Sequence, residues 1–517
     1  MSRGILGNAF TVGILTAASR VLGLVREMLQ SRLIGAGVEQ SAFTLAFAIP
    51  NMMRKLFGEG ALTAAFVPVF RGEVEAVGVA KAARLARAVM TTVFAALASL
   101  TILACLGLGL FAHFAALGPR AELMVTLVQI LLPYMLFICG AAFGMGVLNA
   151  LGRFKAAGFM PALLNILWIA ALATLCFFPS LSARTRIIYT AWAILFAGAV
   201  QMVFMFICMH KMGVTPRLTF LGWHDEKTRL VWRNLGIAAF GAGAIQVNYM
   251  LDQILAQWAS PWTAAVVGYA ERLMDLPLGV IGVAFGTVLL PTFAGHFAKN
   301  DLTAARTALT SSVNSLMFVM LPAAAGLFIL APETTRVIYE GGTFDALATT
   351  RVSRALAVYA LGLGFFGFQK SLVPWFQAQN DMKTPLRVSV ITVCLNACLN
   401  ILAVTLLPVE WRHVGLAAST TFCAAVGCTI LVHAAHRKNG SLTLRTSCLK
   451  PVARMLLASI LMAAALFFLR PLLAHWNQIL SLATLILSGA FVYFIASLIL
   501  HRGTFRAYLK RPHRTRS

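Results

Sequence analysis

Five basic side chains stand inside segments that otherwise read as membrane spans. Arg20 and Arg26 lie in the first apolar run, Arg54 and Lys55 in the second, and Arg272 in the eighth. A charge held at bilayer depth costs roughly 2.5–3.5 kcal/mol on insertion scales, so it normally faces a cavity lined by protein or water. Guanidinium forks match phosphate and carboxylate oxygens in pairs, and several together predict an anion bound within the bilayer. Glu27 adjoins Arg26 and is placed to hold it, Glu59 follows Arg54, and Glu271 and Asp275 flank Arg272. Plainer readings stay open at each position. Arg26, like Arg32, could reach for the outer interface; Arg54 or Lys55 could pair with Glu59, and Arg272 with Asp275, along one helix.

The helices carrying these charges are also the broken ones. Pro50 interrupts the second span, with Gly58 and Gly60 beyond it, and the eighth span holds Pro277, Gly279, Gly282 and Gly286. Proline removes a backbone donor and kinks a helix, and glycine eases the bend. Breaks of this kind at corresponding places in two halves point to a substrate site, with Pro50, Pro277 and Glu59 as gating or structural residues. Arg20 and Arg26 are six apart and do not share a face of an ideal helix, so a bend near Gly23 is needed to turn both to one cavity.

What positions these residues is a membrane bundle. Of 517 residues, 60% are hydrophobic and 11% charged, and the mean hydropathy is +0.83; a soluble chain carries about 25% charged residues. Apolar runs of about 20 residues recur about fourteen times, long enough to cross as helices. The chain reads as an all-α polytopic membrane protein. Its net charge of +25 gathers in alternate connections, Lys81, Arg84 and Arg87 among them, and in the tail. That pattern places both termini in the cytoplasm and accounts for the charge without nucleic acid. The tail is suited to rest on anionic headgroups of membrane lipids. Most of the nine cysteines sit in apolar runs as small hydrophobes, and the scattered histidines argue against a membrane-bound enzyme.

Two internal echoes suggest duplication. AAFVPVF (64–70) matches TVLLPTF (287–293), and VLNALGRFKAAGFMP (147–161) matches WFQAQNDMKTPLRVS (375–389). They predict two pseudo-symmetric six-helix lobes, 1–212 and 235–436, joined by a cytoplasmic linker, 213–234. Two further spans over 437–500 and a basic tail, 501–517, complete the chain.

The ordered set SRVLGLVRE (19–27), PNMMRKLFGEGALTAAFVPVF (50–70), YAERLMDLPLGVIGVAFGTVLLP (269–291), YEGGTFD (339–345) and LVPWFQAQNDMKTP (372–385) resembles the bacterial MurJ/MviN family of lipid II flippases. The resemblance implies the multidrug/oligosaccharidyl-lipid/polysaccharide (MOP) exporter fold, MATE-like, with two C-terminal helices forming a groove for a polyprenyl tail. It implies a transporter of the bacterial inner membrane that moves the undecaprenyl-pyrophosphate-linked peptidoglycan precursor, lipid II, to the outer leaflet by alternating access. Substrate-binding residues carried over are Arg20, Arg26, Glu27, Arg54 and Arg272. A sodium site is a further candidate, at Asp252, Asn396, Asn400 and Thr420, although these amides are equally suited to bonding between helices. No other cofactor is expected, and proteins of cell-wall synthesis or division are candidate partners. One departure stands at the start of the second span, where many relatives have an acid and this chain has Ser41. The alternative functions are export of another polyprenyl-linked polysaccharide and MATE-type export; a cation exporter should have an acidic cavity.

Overall fold

The computed structural model describes residues 2–58, 61–219, 225–440 and 449–500. The chain forms two compact units, Met1–Ala265 with Gly341–Asp345, and Val266–Glu340 with Ala346–Ser517.

The first unit contains α1 (Ser2–Ile34), α2 (Val38–Met53), α3 (Ala61–Val77), α4 (Val79–Phe114), α5 (Pro119–Leu131), α6 (Tyr134–Ala150), α7 (Phe154–Cys176), α8 (Ala183–Lys211) and α9 (Glu226–Ala259). Its 33-residue α1 reaches about 50 Å at about 1.5 Å per residue, more than a bilayer's hydrocarbon thickness. The long second span expected from sequence is three pieces. Pro50 lies inside α2, and a π-helical turn over Arg54–Gly58 separates α2 from α3. The missing proline donor loosens the ladder just before the wide turn, a local geometry found often at functional sites. Pro133 similarly parts α5 from α6. Helix α9 packs against α2, α3 and α4 in this unit, although the sequence begins the second lobe at 235.

Lipid offers no hydrophobic drive between helices, so close packing of small residues does much of the work. At Gly198 on α8, an added Cβ would lie 2.5 Å from Tyr134 Cδ2, and at Gly144 on α6 one would lie 2.9 Å from Met205 Cβ. These glycines let α6 and α8 approach closely. Around them Phe66, Phe70, Leu127, Leu131, Phe143 and Ile194 are fully buried.

The second unit receives most of α10 (Thr263–Ala298), then α11 (Leu302–Ile329), a short α12 (Ala331–Tyr339), α13 (Ala346–Gln377), α14 (Lys383–Leu406), α15 (Arg412–Asn439), α16 (Leu449–Leu472) and α17 (Gln478–Leu500). Despite Pro277 and Pro291, α10 runs unbroken for 36 residues. Helix α13 packs against α11, α12 and α15, and α16 against α11 and α17. Phe293, Trp375 and Phe376 fill one core; Met462, Leu466, Leu485 and Tyr493 belong to another.

Among the described residues, ten helical segments are long and apolar enough to cross a membrane. The remaining expected spans, 5–33, 41–70, 235–257 and 263–294, coincide with α1, α2–α3, α9 and α10. The echoed segments make alike turns. Arg153 N donates to Leu148 O at 2.8 Å and Asp381 N to Phe376 O at 3.0 Å, each bond following a left-handed residue, Gly152 (φ 74) or Asn380 (φ 56). This is the common glycine- or asparagine-terminated helix end.

Candidate functional site

Helix α1 carries Ser19, Arg20, Gly23, Arg26 and Glu27, and Ser19, Gly23 and Arg26 of these meet α7. Gly23 lies where a Cβ would sit 3.7 Å from Asn165 Nδ2, so this face of α1 meets α7 across a small side chain. Asn165 uses both ends of its amide there. Its Nδ2 donates to Ser19 O at 2.9 Å and to Ser19 Oγ at 3.3 Å, and its Oδ1 accepts from Arg26 Nη1 at 2.9 Å. Arg26 Nη2 also pairs with Glu27 Oε1. The Arg26 and Glu27 side chains are each only 14% exposed, so Arg26 does not reach for an interface. Burying this charge is tolerable because it is both paired and hydrogen-bonded.

An aromatic wall completes the setting. The Arg26 guanidinium carbon lies 4.3 Å from the centroid of the Trp168 ring. Trp168 meets Phe43 edge-on at 5.9 Å and Phe47 at 5.5 Å; those two phenylalanines stack at 5.6 Å. Asn165 and Trp168 are three apart on α7 and therefore share a face.

Arg20 is partly exposed on α1. Arg54 begins the π-helical turn, and its Nε donates to Asn51 Oδ1 at 3.2 Å. The Lys55 ammonium lies 5.0 Å from the centroid of the Tyr249 ring on α9. Glu59 lies outside the described residues, and Pro50 is buried in α2. In the second unit, Arg272 and Asp275 are exposed on α10 and Pro277 is partly buried. Glu271 Oε1 accepts from Tyr359 OH at 3.3 Å.

The candidate sodium ligands divide between the units. Asp252 belongs to the first, where its Oδ2 accepts from Asn248 Nδ2 at 3.5 Å. Asn396 and Asn400 are buried on one face of α14. Thr420 is on α15, which packs against α14, and its hydroxyl donates to Leu416 O at 3.2 Å, leaving the oxygen lone pairs able to accept. Two amides and a hydroxyl are hard oxygen donors that suit a hard cation.

Two features went unread in the sequence. Arg120 Nη2 donates to Gln257 O at 2.9 Å and to Gln257 Oε1 at 2.5 Å, while Gln257 Nε2 donates to Ser41 O at 2.5 Å. The start of α2 at Ser41 is thus tied through neutral glutamine to a cation on α5. The other is Trp168, whose signal was available: a tryptophan one helical turn from an asparagine within an apolar run. At the C-terminal end of the fold, Ala465, Leu469, Leu487, Gly489, Phe491 and Val492 help line an apolar groove of about 490 Å³ between α16 and α17.

An all-helical fold with ten candidate spans and a paired, ring-stacked arginine among its helices defines a polytopic membrane protein. A MATE-family multidrug transporter of the MOP superfamily, in an inward-facing conformation, shares the fold with a TM-score of 0.66 at 16% identity, over 82% of this chain and 96% of that one. A solved lipid II flippase MurJ in an inward closed conformation matches with a TM-score of 0.78 at 23% identity, over 96% and 99%. The family described as Lipid II flippase MurJ matches residues 30–487, and the chain belongs to that family. A probable lipid II flippase MurJ of Rhizobium tropici is 34% identical over 97% of this chain and 96% of its own length. The lipid II flippase MurJ of Burkholderia cenocepacia is 30% identical over 83% of each.

Proposed function

We infer that this protein is a lipid II flippase, carrying the undecaprenyl-pyrophosphate-linked peptidoglycan precursor from the inner to the outer leaflet of the bacterial inner membrane. Family membership supports the substrate. The observation that carries the mechanism is the buried Arg26, held by Glu27, Asn165 and Trp168. The pyrophosphate engages Arg26, with Arg20 and Arg54 as the other cationic groups of the first unit and Arg272 as that of the second. The polyprenyl tail stays in lipid along the groove between α16 and α17, whose lining is apolar except for Ser488. Exposure of the anion site alternates between the two sides of the membrane, and the chain makes or breaks no covalent bond in the substrate.

Binding alone cannot drive net transfer, because a ligand shifts an equilibrium only by its differential affinity for the two states. Moving negative charge outward is favoured by an inside-negative potential, at about 2.3 kcal/mol per charge per 100 mV. Sodium is the second candidate source, held by the amide oxygens of Asn396 and Asn400 and the Thr420 hydroxyl; an ion there supplies coupling to its gradient. Cytoplasmic termini and contacts with anionic lipids and cell-wall synthesis or division proteins belong to the same reading.

The test is complementation of a strain depleted of its own flippase, measuring how much precursor reaches the outer leaflet. Wild type should restore export, and Arg26→Ala and Arg272→Ala should not at matched protein levels. Full export by both variants would remove the arginine mechanism. Export of a different polyprenyl-linked glycan in place of lipid II would remove the substrate.

A further inference from the structure

Trp168 combines two observations that packing alone does not explain. Its side chain is 2% exposed, yet its indole Nε1 is buried and donates no hydrogen bond among the described residues. Buried tryptophans usually find an acceptor for that N–H, and leaving it unmet sacrifices the desolvation free energy of a polar group. Phenylalanine or leucine would fill the space beside the Phe43–Phe47 stack without that penalty. What tryptophan adds is the best π face for a cation among the natural side chains, and Arg26 lies on it at 4.3 Å.

The remaining contacts explain why a face is needed. Glu27 and Asn165 take the two terminal nitrogens of Arg26. Edge contacts leave the guanidinium free to rock about the line joining them, whereas a flat surface beneath it resists that motion. A planar fork bonds two phosphate oxygens together only when its plane is correctly aimed.

We propose that Trp168 is a positioning residue for anion recognition, its ring setting the plane of the Arg26 guanidinium for a phosphate group. This rests on the reading of Arg26 as a substrate ligand. Trp168 touches no substrate atom; it acts through Arg26.

The experiment places mono-, di- and trifluorinated tryptophan at position 168 of the full chain and measures binding of undecaprenyl pyrophosphate to the protein in lipid nanodiscs. Fluorine withdraws electron density from the ring face while nearly preserving its shape, so a structural role is left intact. Affinity should fall stepwise, to a total of about tenfold, with the thermal midpoint unchanged. Trp168→Phe should retain part of the affinity and Trp168→Leu the least. In an Arg26→Ala background the fluorine series should be flat. A flat series with Arg26 present, where Arg26→Ala itself weakens binding, overturns the role of Trp168 alone. Unchanged binding in Arg26→Ala overturns the underlying reading and this proposal with it.

Discussion

Thr343 donates both its backbone N–H and its hydroxyl to Arg32 O, at 2.9 Å and 3.1 Å. The YEGGTFD segment thereby closes the last turn of α1, whose final carbonyls have no partners within the helix. Arg186 Nη1 takes the next one, Leu33 O, at 3.0 Å. Gly342 makes the approach possible: its φ is +58°, and a Cβ there would stand 2.2 Å from Arg32 O. Backbone cannot yield as a flexible side chain can. Gly342→Ala should therefore unseat the loop, seen as faster hydrogen exchange at the Thr343 amide. Thr343→Val keeps the backbone bond and should cost only about 1 kcal/mol. Unaltered exchange in Gly342→Ala would contradict the contact.

Asn165 separates structure from charge. Asn165→Ala removes the bonds to Ser19 and Arg26 and should cost about 1–3 kcal/mol in unfolding free energy. Asn165→Asp keeps an acceptor for Arg26 but adds a second carboxylate beside it. We expect that variant to fold while binding undecaprenyl pyrophosphate at least tenfold more weakly, a loss of about 1.4 kcal/mol or more. Thermal unfolding and nanodisc binding measured on the same preparation check both. Wild-type affinity in Asn165→Asp would show that Arg26 is not the anion ligand.

Gly198→Ala should be destabilising, since its Cβ would meet Tyr134 Cδ2 at 2.5 Å. Overpacking of this kind typically costs about 1–3 kcal/mol. Trimming the obstacle with Tyr134→Leu should restore part of the loss, and a thermal-unfolding double-mutant cycle measures the coupling. Additive effects would mean the two helices part without strain.

The turn between α13 and α14 provides a pH test. Asp381 Oδ2 accepts from Lys438 Nζ at 2.8 Å, and that bond, with the backbone and hydroxyl of Thr384, holds the Asp381 carboxyl down at about 2 from an ordinary 3.8. A depressed carboxylate stabilises the fold above its ordinary value and loses that contribution as pH falls through the folded one. Solvent at this boundary screens the pair, leaving about 0.5–1 kcal/mol. Asp381→Asn should thus be less stable than wild type at pH 7, with the gap closing between about pH 4 and pH 2. A gap independent of pH would assign the effect to helix capping alone.

Several features were legible because their physics is local. Residues 50–58 announce a break, since proline cannot donate to the ladder, yet the wide π-helical turn that begins at Arg54 has no composition signature. The short α12 was unread as well: Pro332 near its start marks a helix beginning, but the apolar run before it hides the boundary. The alternatives for Arg26 could not be resolved along the chain either, because reaching an interface and packing inward both begin from the same position on α1.

Composition, the recurrence of apolar runs and the alternation of basic connections determine by themselves that this chain is a polytopic helical membrane protein with cations at bilayer depth. Each of those properties depends on residues within a helical turn or a membrane thickness of one another. Only the tertiary structure decided what surrounds the cations. Arg26 meets Asn165 at a separation of 139 residues and Arg32 meets Thr343 at 311. Which side chain faces which depends on how whole helices pack, and the energy of a buried charge depends on that neighbour more than on its own position.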